Sequence, residues 1–585
     1  MTSTAPRRLM SATVASVLAA LMLAPAAARA DLPDPTLAET VSGASLSGSF
    51  LAAQLAAKDN DDAAAVAFYE RALALDPANE ELKQFLFLAL TANGRIADAV
   101  DIGRQLPQAG PAGGVVRLVV AVHALKQKSW AKVSELLAGS NGGELDRLVE
   151  LLLKAWALYG AGNVDGALDT STAFAGADWA NVVRDYHSGL IAAAAARDAE
   201  AEKFFRQAIA DRAAAAVLSE VYLRAVEALV RVQAKLGKLD EARQTLASGK
   251  ELLPTHPPFL ALGRRLEEGL PLAPLLTSAP QGGSELLYNV GAAISRQGGA
   301  SFAQSYLQLA DYLNPGSDVV VLALADVFEN HKDHERANGY YERIDAKSPY
   351  WRRARLQYAL NLNDLDQVDK AKETLKVLIA EDPDDLLAYS TLGSVHSQHE
   401  EYAEAAEVYD RAVARIATPE QSHWDLFYRR GIAHERLKQW EKAEPNFKQA
   451  LALNPDQPNV LNYLGYSWID MGINLEEGMA MIRKAVELRP NSGYIVDSLG
   501  WAHYRLGQYE DAVRELERAV ELMPQDPVIN DHLGDAYWKA GRKLEATFQW
   551  NHALASKPEP DDEKKIRAKL EHGLRDEATA TSAAD

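Results

Sequence analysis

Hydrophobic and polar positions recur along this chain in blocks of about 34 residues, most clearly in its last quarter. In one block, Leu499 and Gly500 lie on one face of a first predicted helix, and Ala512 and Ala519 lie on one face of a second. The block ends at Pro524. The same positions hold Leu464, Gly465, Gly478, Ala485 and Pro490 in the block before, and Leu533, Gly534, Ala546, Ala553 and Pro558 in the block after. Repetition at this length predicts one helical hairpin per block.

Each recurring residue has a physical role in such a hairpin. A glycine inside a helix costs about 1 kcal/mol relative to alanine, so we expect Gly500 to let Ala512 of the second helix come close. Gly507 lies where the turn needs a positive φ, and Pro524 ends the second helix because it lacks an N–H. Together these residues resemble the tetratricopeptide repeat. The resemblance implies an all-α fold, an α-solenoid of tandem helical hairpins wound into a right-handed superhelix.

The repeats are regular in the second half of the chain and degenerate in the first, with about six before and about eight after a proline-rich stretch. High proline density interrupts helix stacking, so this stretch is the predicted boundary between two solenoid halves. The predicted organisation is a cleaved signal peptide at 1–30, a polar leader at 31–45, a degenerate N-terminal solenoid at 46–256, a proline-rich boundary at 257–283, a regular C-terminal solenoid at 284–560, and a capping helix with a disordered tail at 561–585.

The N-terminal segment has the layout of a secretory signal. Arg7 and Arg8 precede an apolar run over residues 9–25, and a small-x-small exit ends at Ala30, just before Asp31. This layout predicts export to the periplasm of a Gram-negative bacterium. Release from the cell and peripheral association with the outer membrane are the alternatives.

Composition limits the kinds of partner that we expect. The net charge is −20. The chain has no cysteine, which excludes a disulfide and a lipid on an N-terminal cysteine. No other apolar run approaches the ~20 residues that a membrane-spanning helix needs. The acidic balance repels phosphate backbones, so we expect protein or peptide partners and no nucleic acid.

The search for chemistry gives only weak candidates. His331 and His334, and likewise His396 and His399, stand three residues apart on helical stretches, a spacing that could hold a metal. No cysteine and no carboxylate pattern completes either pair, so no metal and no other cofactor are expected. The chain also lacks phosphate-binding and zinc-protease motifs. We therefore expect a protein that is not an enzyme.

The resemblance implies a binding surface on the first helices, at offsets 2, 5, 9, 12 and 13 of each repeat, which share one side of a helix. We call this side the groove face. In the second half it consists of Tyr428, Arg436, Asn459, Asn462, Tyr466, Tyr494, Asp497, Trp501, Tyr504, Arg505, Asp531, Trp538 and Lys539. Aromatic, amide and charged groups on one face favour an extended peptide, with Trp501, Tyr504 and Trp538 as anchors and Tyr466 and Asn462 beside them.

The closing repeats are also similar to those of bacterial envelope proteins, among them a periplasmic adaptor of a carboxyl-terminal processing protease. The predicted function is a non-catalytic periplasmic scaffold or adaptor that binds protein partners, with delivery of substrates to a processing protease as its candidate role. A scaffold for polysaccharide synthesis or export, or for outer-membrane assembly, is the alternative.

Overall fold

The computed structural model describes five stretches of the chain: residues 45–107, 111–138, 143–210, 218–296 and 298–574. The predicted signal peptide, nearly all of the predicted leader and the tail after residue 574 lie outside them. Within the five stretches there are thirty α-helices, one short 3-10 turn and no β-strand. The prediction of an all-α fold built from tandem helical hairpins is confirmed.

The chain divides into two compact units, Met1–Gln367 and Val368–Asp585. The described helices of the first unit are α1 (Leu46–Lys58), α2 (Asp62–Leu75), α3 (Glu80–Ala92), α4 (Ile96–Gly103), α5 (Pro111–Lys126), α6 (Trp130–Leu136), α7 (Glu144–Gly160), α8 (Val164–Thr172), α9 (Asp178–Ala194), α10 (Asp198–Ala208), α11 (Ser219–Lys235), α12 (Leu239–Leu252), α13 (Pro257–Glu267), α14 (Ala279–Arg296), α15 (Ala300–Leu313), α16 (Asp318–Asn330), α17 (His334–Tyr341) and α18 (Trp351–Asp364).

The described helices of the second unit are α19 (Val368–Glu381), α20 (Leu386–Gln398), α21 (Tyr402–Val413), α22 (Trp424–Arg436), α23 (Trp440–Leu453), α24 (Pro458–Asp470), α25 (Leu475–Leu488), α26 (Gly493–Arg505), α27 (Tyr509–Leu522), α28 (Pro527–Lys539), α29 (Lys543–Ala555) and α30 (Pro560–His572). Of the thirty helices that the structure describes, twenty-eight follow one another along the chain as fourteen pairs. The other two are α13 and α30.

The repeat residues act locally, although the atoms nearest to Gly500 on the second helix belong to Leu516 and not to the predicted Ala512. A Cβ added at Gly500 would lie 2.5 Å from Cγ of Leu516, so the two helices of that hairpin approach as closely as only glycine allows. The turn between them contains Gly507, whose φ is +74°. The next hairpin starts at a cap, because the Asp526 carboxylate accepts the N–H groups of Val528 and Ile529 at 2.9 and 3.0 Å.

The hairpin α14–α15 packs against several earlier helices in the core of the first unit. Helix α14 packs against α5, α7, α9 and α11, and α15 packs against α3, α4 and α5. Residues 282–291 of α14 are all buried, including Glu285. The hairpin α14–α15 therefore serves as a shared core for the repeats that precede it.

The proline-rich stretch 257–283, where the sequence predicts a boundary, lies inside this first unit. Pro257 begins α13, and an irregular segment then leads to α14 at Ala279. The prolines do interrupt the helices, but Gly282 and Gly283 afterwards let α14 lie directly on Trp156 and Leu125. The units divide instead between Gln367 and Val368.

At the end of the second unit, α30 occupies the place where the sequence predicts a capping helix. Its Ile566 is buried, and Lys569 pairs with Asp531 and Asp535 of α28. None of the helices described here combines the length and the apolar character that crossing a membrane requires.

Candidate functional site

The groove face of the second unit is built from first helices that contact one another in order. Asn462 of α24 donates from Nδ2 to the Ser498 hydroxyl of α26 at 3.1 Å. Arg505 of α26 donates to the Asp470 carboxylate of α24 at 2.6 Å. These contacts align α24 with α26, so that the predicted residues of both helices share one surface.

Trp501 is the centre of that surface. Its ring lies parallel to Tyr504, with centroids 4.5 Å apart and planes inclined by 13°. It is also stacked with His532 of α28, at 4.0 Å and 20°. Trp501 and Tyr504 remain half-buried, and Tyr494, one helical turn before Asp497 on the same helix, is 60% exposed.

His532 was not among the predicted site residues, although the structure places it in the centre of the site. It lies two residues before the helix glycine Gly534, on the side that faces the preceding repeat. The position lies off the groove offsets, and residue spacing carries no signal for it. In the structure the corresponding residue one repeat earlier, Ser498, also contacts its neighbouring repeat.

A buried carboxylate holds His532 in place. Nδ1 of His532 lies 2.9 Å from Oδ1 and 3.1 Å from Oδ2 of Asp497. Burial of the imidazole opposes its charge, but the carboxylates of Asp497, Asp531 and Asp535 outweigh burial and raise the pKa of His532. The ring beside Trp501 is therefore readily charged.

Three other predicted residues lie on the preceding first helices α22 and α24. Burial raises the pKa of Tyr466 to about 12, so its hydroxyl stays protonated. Asn459 is exposed and accepts a hydrogen bond from Arg489 at 3.3 Å. Arg436 is exposed, with its guanidinium 6.0 Å from the centroid of the Tyr402 ring.

Tyr428 belongs to a separate aromatic cluster on α22. Its ring centroid lies 6.3 Å from that of Trp424, 6.2 Å from that of Phe447 and 6.0 Å from that of Tyr463. Burial raises the pKa of Tyr428 to about 12. This ring consolidates the packing between neighbouring repeats.

The predicted residues of α28 are covered by α30. Trp538 packs on Trp550 with centroids 5.4 Å apart, and a Cβ at Gly573 would lie 2.3 Å from its indole. Asp531 accepts from Lys569 at 2.8 and 2.7 Å. Lys539, on the same helix, is partly buried. The structure thus separates Trp538 from the more open part of the groove face around Trp501.

The histidine pairs have local structural partners. Nδ1 of His334 lies 3.4 Å from Glu329, and Nδ1 of His396 lies 2.5 Å from Glu401, which also accepts from Lys372. Among the residues that the structure describes, no group of three or more His, Cys, Asp or Glu side chains could hold a metal ion.

Comparisons with known proteins agree with this architecture. Models of the tetratricopeptide repeat match residues 48–79, 357–421 and 424–457, and a model described as TPR repeat matches residues 500–541. The TPR repeat-containing protein PA4667 of Pseudomonas aeruginosa is 28% identical over 200 residues, which cover 34% of this chain and 33% of that protein. Protein O-mannosyl-transferase TMTC1 of Homo sapiens is 26% identical over 203 residues, which cover 34% of this chain and 22% of that protein. The chain thus spans about a third or less of the length of these relatives.

Two solved structures match the chain with low TM-scores. The APC/C hetero-tetramer Cut9-Hcn1 is similar over 92% of this chain and 98% of that chain, at 15% identity and a TM-score of 0.37. YrrB, described as a TPR protein with an unusual peptide-binding site, is similar over 37% of this chain and 92% of that chain, at 20% identity and a TM-score of 0.22. The repeat pattern, the helical hairpins and the matching family models agree that the chain contains tetratricopeptide repeats.

Proposed function

We propose that this protein is a non-catalytic scaffold that holds protein partners on the groove face of its second unit. The observation that carries the proposal is the aromatic surface of α26, where Tyr494 is 60% exposed and Trp501 and Tyr504 are half-buried. Large rings with few rotatable bonds are the residues that most often anchor protein interfaces.

Polar groups beside these rings support the same proposal. Oδ1 of Asn462 is buried and accepts no hydrogen bond within the described residues. A buried acceptor without a partner is unfavourable, so an N–H group of a bound protein would stabilise this site. Arg505 of the adjacent helix α26 supplies a charged rim through its ion pair with Asp470 of α24.

The proposed compartment is the periplasm. The support is the signal layout at residues 1–30. The expected mature protein begins at Asp31. Recovery of the abundant folded protein with Met1 at its N-terminus would refute export by a cleaved signal.

The proposed role is that of an adaptor, with delivery of substrates to a periplasmic processing protease as its specific form. The similarity of the closing repeats to such an adaptor motivates that form. The transferase activity in the name of one relative is not carried over, because the chain spans 22% of that relative. A scaffold for polysaccharide synthesis or export, or for outer-membrane assembly, uses the same groove face and differs in the protein that is captured.

The test is site-specific photocrosslinking in intact cells. A photoreactive phenylalanine derivative replaces Tyr494 in the groove face, and in a matched control it replaces Phe548, which is 62% exposed on the second helix α29. The proposal predicts a discrete protein adduct from position 494 and none of that mass from position 548. A protease adduct would support the adaptor role, and a synthase or export component would support the alternative. Equal adducts from both positions, or none from 494, would contradict partner binding on this face.

A further inference from the structure

The same three aromatic residues occur once in each unit at identical spacing. In the first unit they are Trp156, Tyr159 three residues later and His187 thirty-one residues later. In the second unit they are Trp501, Tyr504 and His532, at the same two separations. In both units the tryptophan and tyrosine lie on a first helix and the histidine on the first helix of the next repeat.

In the first unit this set of side chains binds a helix of the same chain. Gly282, in the first turn of α14, lies so close to the Trp156 indole that a Cβ would be 2.2 Å from it. Tyr159 donates its hydroxyl to the Thr277 carbonyl at 3.2 Å, just before the helix begins. The side-chain amide nitrogen of Asn289 lies 3.4 Å from Nε2 of His187. The set thus contacts both the first turn of α14 and its middle.

The rings around the two tryptophans are arranged differently, as expected if a helix occupies the first set and none occupies the second. Around the fully buried Trp156, the rings of Tyr159 and His187 stand perpendicular to the indole, at 87° and 85°. Around Trp501, both neighbouring rings lie nearly parallel to the indole. The principal packing partners of α26 are α24, α25, α27 and α28, all close to it along the chain. In the second unit the rings therefore stack on one another, whereas in the first unit they contact helix α14.

We propose that the Trp501, Tyr504 and His532 face docks a helix of the protein partner, with glycine in its first turn against the indole. This inference rests on the proposed function and specifies the kind of partner. On docking, the indole turns from its stacked arrangement to the perpendicular one that Trp156 shows. A bulky residue in place of the small one would prevent the helix from reaching the ring.

The charges around Asp531 indicate which residue type the partner helix can carry three positions after its small residue. In the first unit, Glu285 lies three residues after Gly282 and accepts a hydrogen bond from the Tyr186 hydroxyl at 2.8 Å. The position equivalent to Tyr186 in the second unit is Asp531, three residues before the helix glycine as Tyr186 is three before Gly189. Lys569 of α30 pairs with Asp531 and Asp535, but together with Asp497 these three carboxylates outnumber the positive charges of Lys569 and His532. A partner carboxylate there would meet this surplus of negative charge, which is unfavourable at short range. The partner helix is therefore neutral or basic at this position.

The test uses synthetic peptides of residues 276–296 and the full chain, in which the first-unit site is already filled by α14. The probe peptide carries Glu285→Lys, a second peptide carries Gly282→Leu in addition, and a third has the unaltered sequence. Fluorescence anisotropy measures the affinity of each for the full chain. We expect the probe to bind, the unaltered peptide to bind more weakly, and the Gly282→Leu peptide to lose about thirtyfold or more, as for loss of a central aromatic contact.

Variants of the protein complete the test. Trp501→Ala is expected to lower the affinity for the probe about thirtyfold or more, whereas Phe548→Ala, on an exposed second helix, leaves it unchanged. Absence of binding, equal binding of the Gly282→Leu peptide, or binding that is insensitive to Trp501→Ala would each overturn the inference. The peptide comparison leaves the protein unaltered, so it decides the question even if Trp501→Ala reduces folding. A partner crosslinked at position 494 together with no peptide binding would leave the proposed function standing and refute the helical docking mode.

Discussion

The buried ion pair between Arg224 and Glu285 fixes α14 within the first unit, and its removal gives the sharpest test of that packing. Arg224 donates from Nε and Nη2 to the two carboxylate oxygens at 3.0 and 2.7 Å. Their side chains are 12% and 5% exposed. Breaking a buried pair from one side leaves an uncompensated charge and typically costs about 3–5 kcal/mol. We expect Arg224→Met to lower the free energy of unfolding of the first unit by this amount.

The loss is expected to depend on pH. Burial alone raises the pKa of Glu285, but Arg224 and the Tyr186 hydroxyl outweigh burial and hold it below the ordinary value. Without Arg224 the folded pKa moves above the unfolded one, so the folded state binds the extra proton. The stability of the variant then falls as the pH rises above the unfolded pKa, by up to about 1.4 kcal/mol per unit. The loss is therefore larger at about pH 8 than at about pH 5.

The assay is urea denaturation of the full chain followed by hydrogen exchange in α14, because repeat units need not unfold together. The matched control is Arg505→Met, which removes an exposed pair with Asp470 and should cost at most about 1 kcal/mol. The double variant Arg224→Met/Glu285→Leu should recover only part of the loss, because buried Glu227, which also accepts from Arg224 at 3.4 Å, still lacks that partner. A loss no larger than that of the control, or a loss equal at both pH values, would refute the reasoning.

Three further predictions concern the second unit and its limits. The pKa of His532 is raised in the folded protein, so the stability that its charged ring gains from Asp497 is fully present below the ordinary pKa of 6.5. This stability is lost as the pH rises through the folded pKa. In Asp497→Asn, the melting temperature should lose this pH dependence. Gly500→Leu should destabilise its hairpin by about 1–3 kcal/mol or more, since the new side chain meets Leu516, and an unchanged urea midpoint would contradict the close approach. A fragment of residues 368–585 should be helical by circular dichroism and monomeric by size-exclusion chromatography. A fragment of residues 284–585 should associate, because the faces of α14 and α15 that pack on earlier helices would be uncovered. A monomeric longer fragment together with an associating shorter one would contradict the division of the units.

The repeating residues allowed the hairpins to be predicted because their physics is local. The glycine at 500 and the small residue at 512 belong to one hairpin, and the proline at 524 acts within a turn of itself. Such short-range constraints appear directly in the spacing of residue types. The fold class and the order of the pairs therefore needed no knowledge of distant contacts.

The docking of α14 could not be predicted in the same way. Gly282 and Trp156 are far apart in the chain, and nothing near either residue indicates that they meet. The prolines before α14 were a true signal of interrupted helices but said nothing of where the chain goes next. The ion pair of Arg224 with Glu285 has the same long-range character.

The candidate site was predictable in part. The groove offsets predict Trp501, Tyr504 and Asp497 on one helix face, and in the structure Trp501 and Tyr504 stack on each other. The offsets missed His532, which reaches the site from the adjoining repeat, and they could not show that α30 covers Trp538. Both features depend on packing between elements, for which residue spacing carries no signal.

The central claim is that the Trp501 surface of the second unit holds the protein partner. Hydroxyl-radical footprinting of the full chain, with and without the partner captured by crosslinking, measures this side chain by side chain. The account predicts that oxidation of Tyr494, Trp501 and Tyr504 falls on binding, while oxidation of the exposed Phe548 stays constant. Unchanged oxidation of those three rings in a saturated complex, with protection elsewhere on the chain, would contradict it.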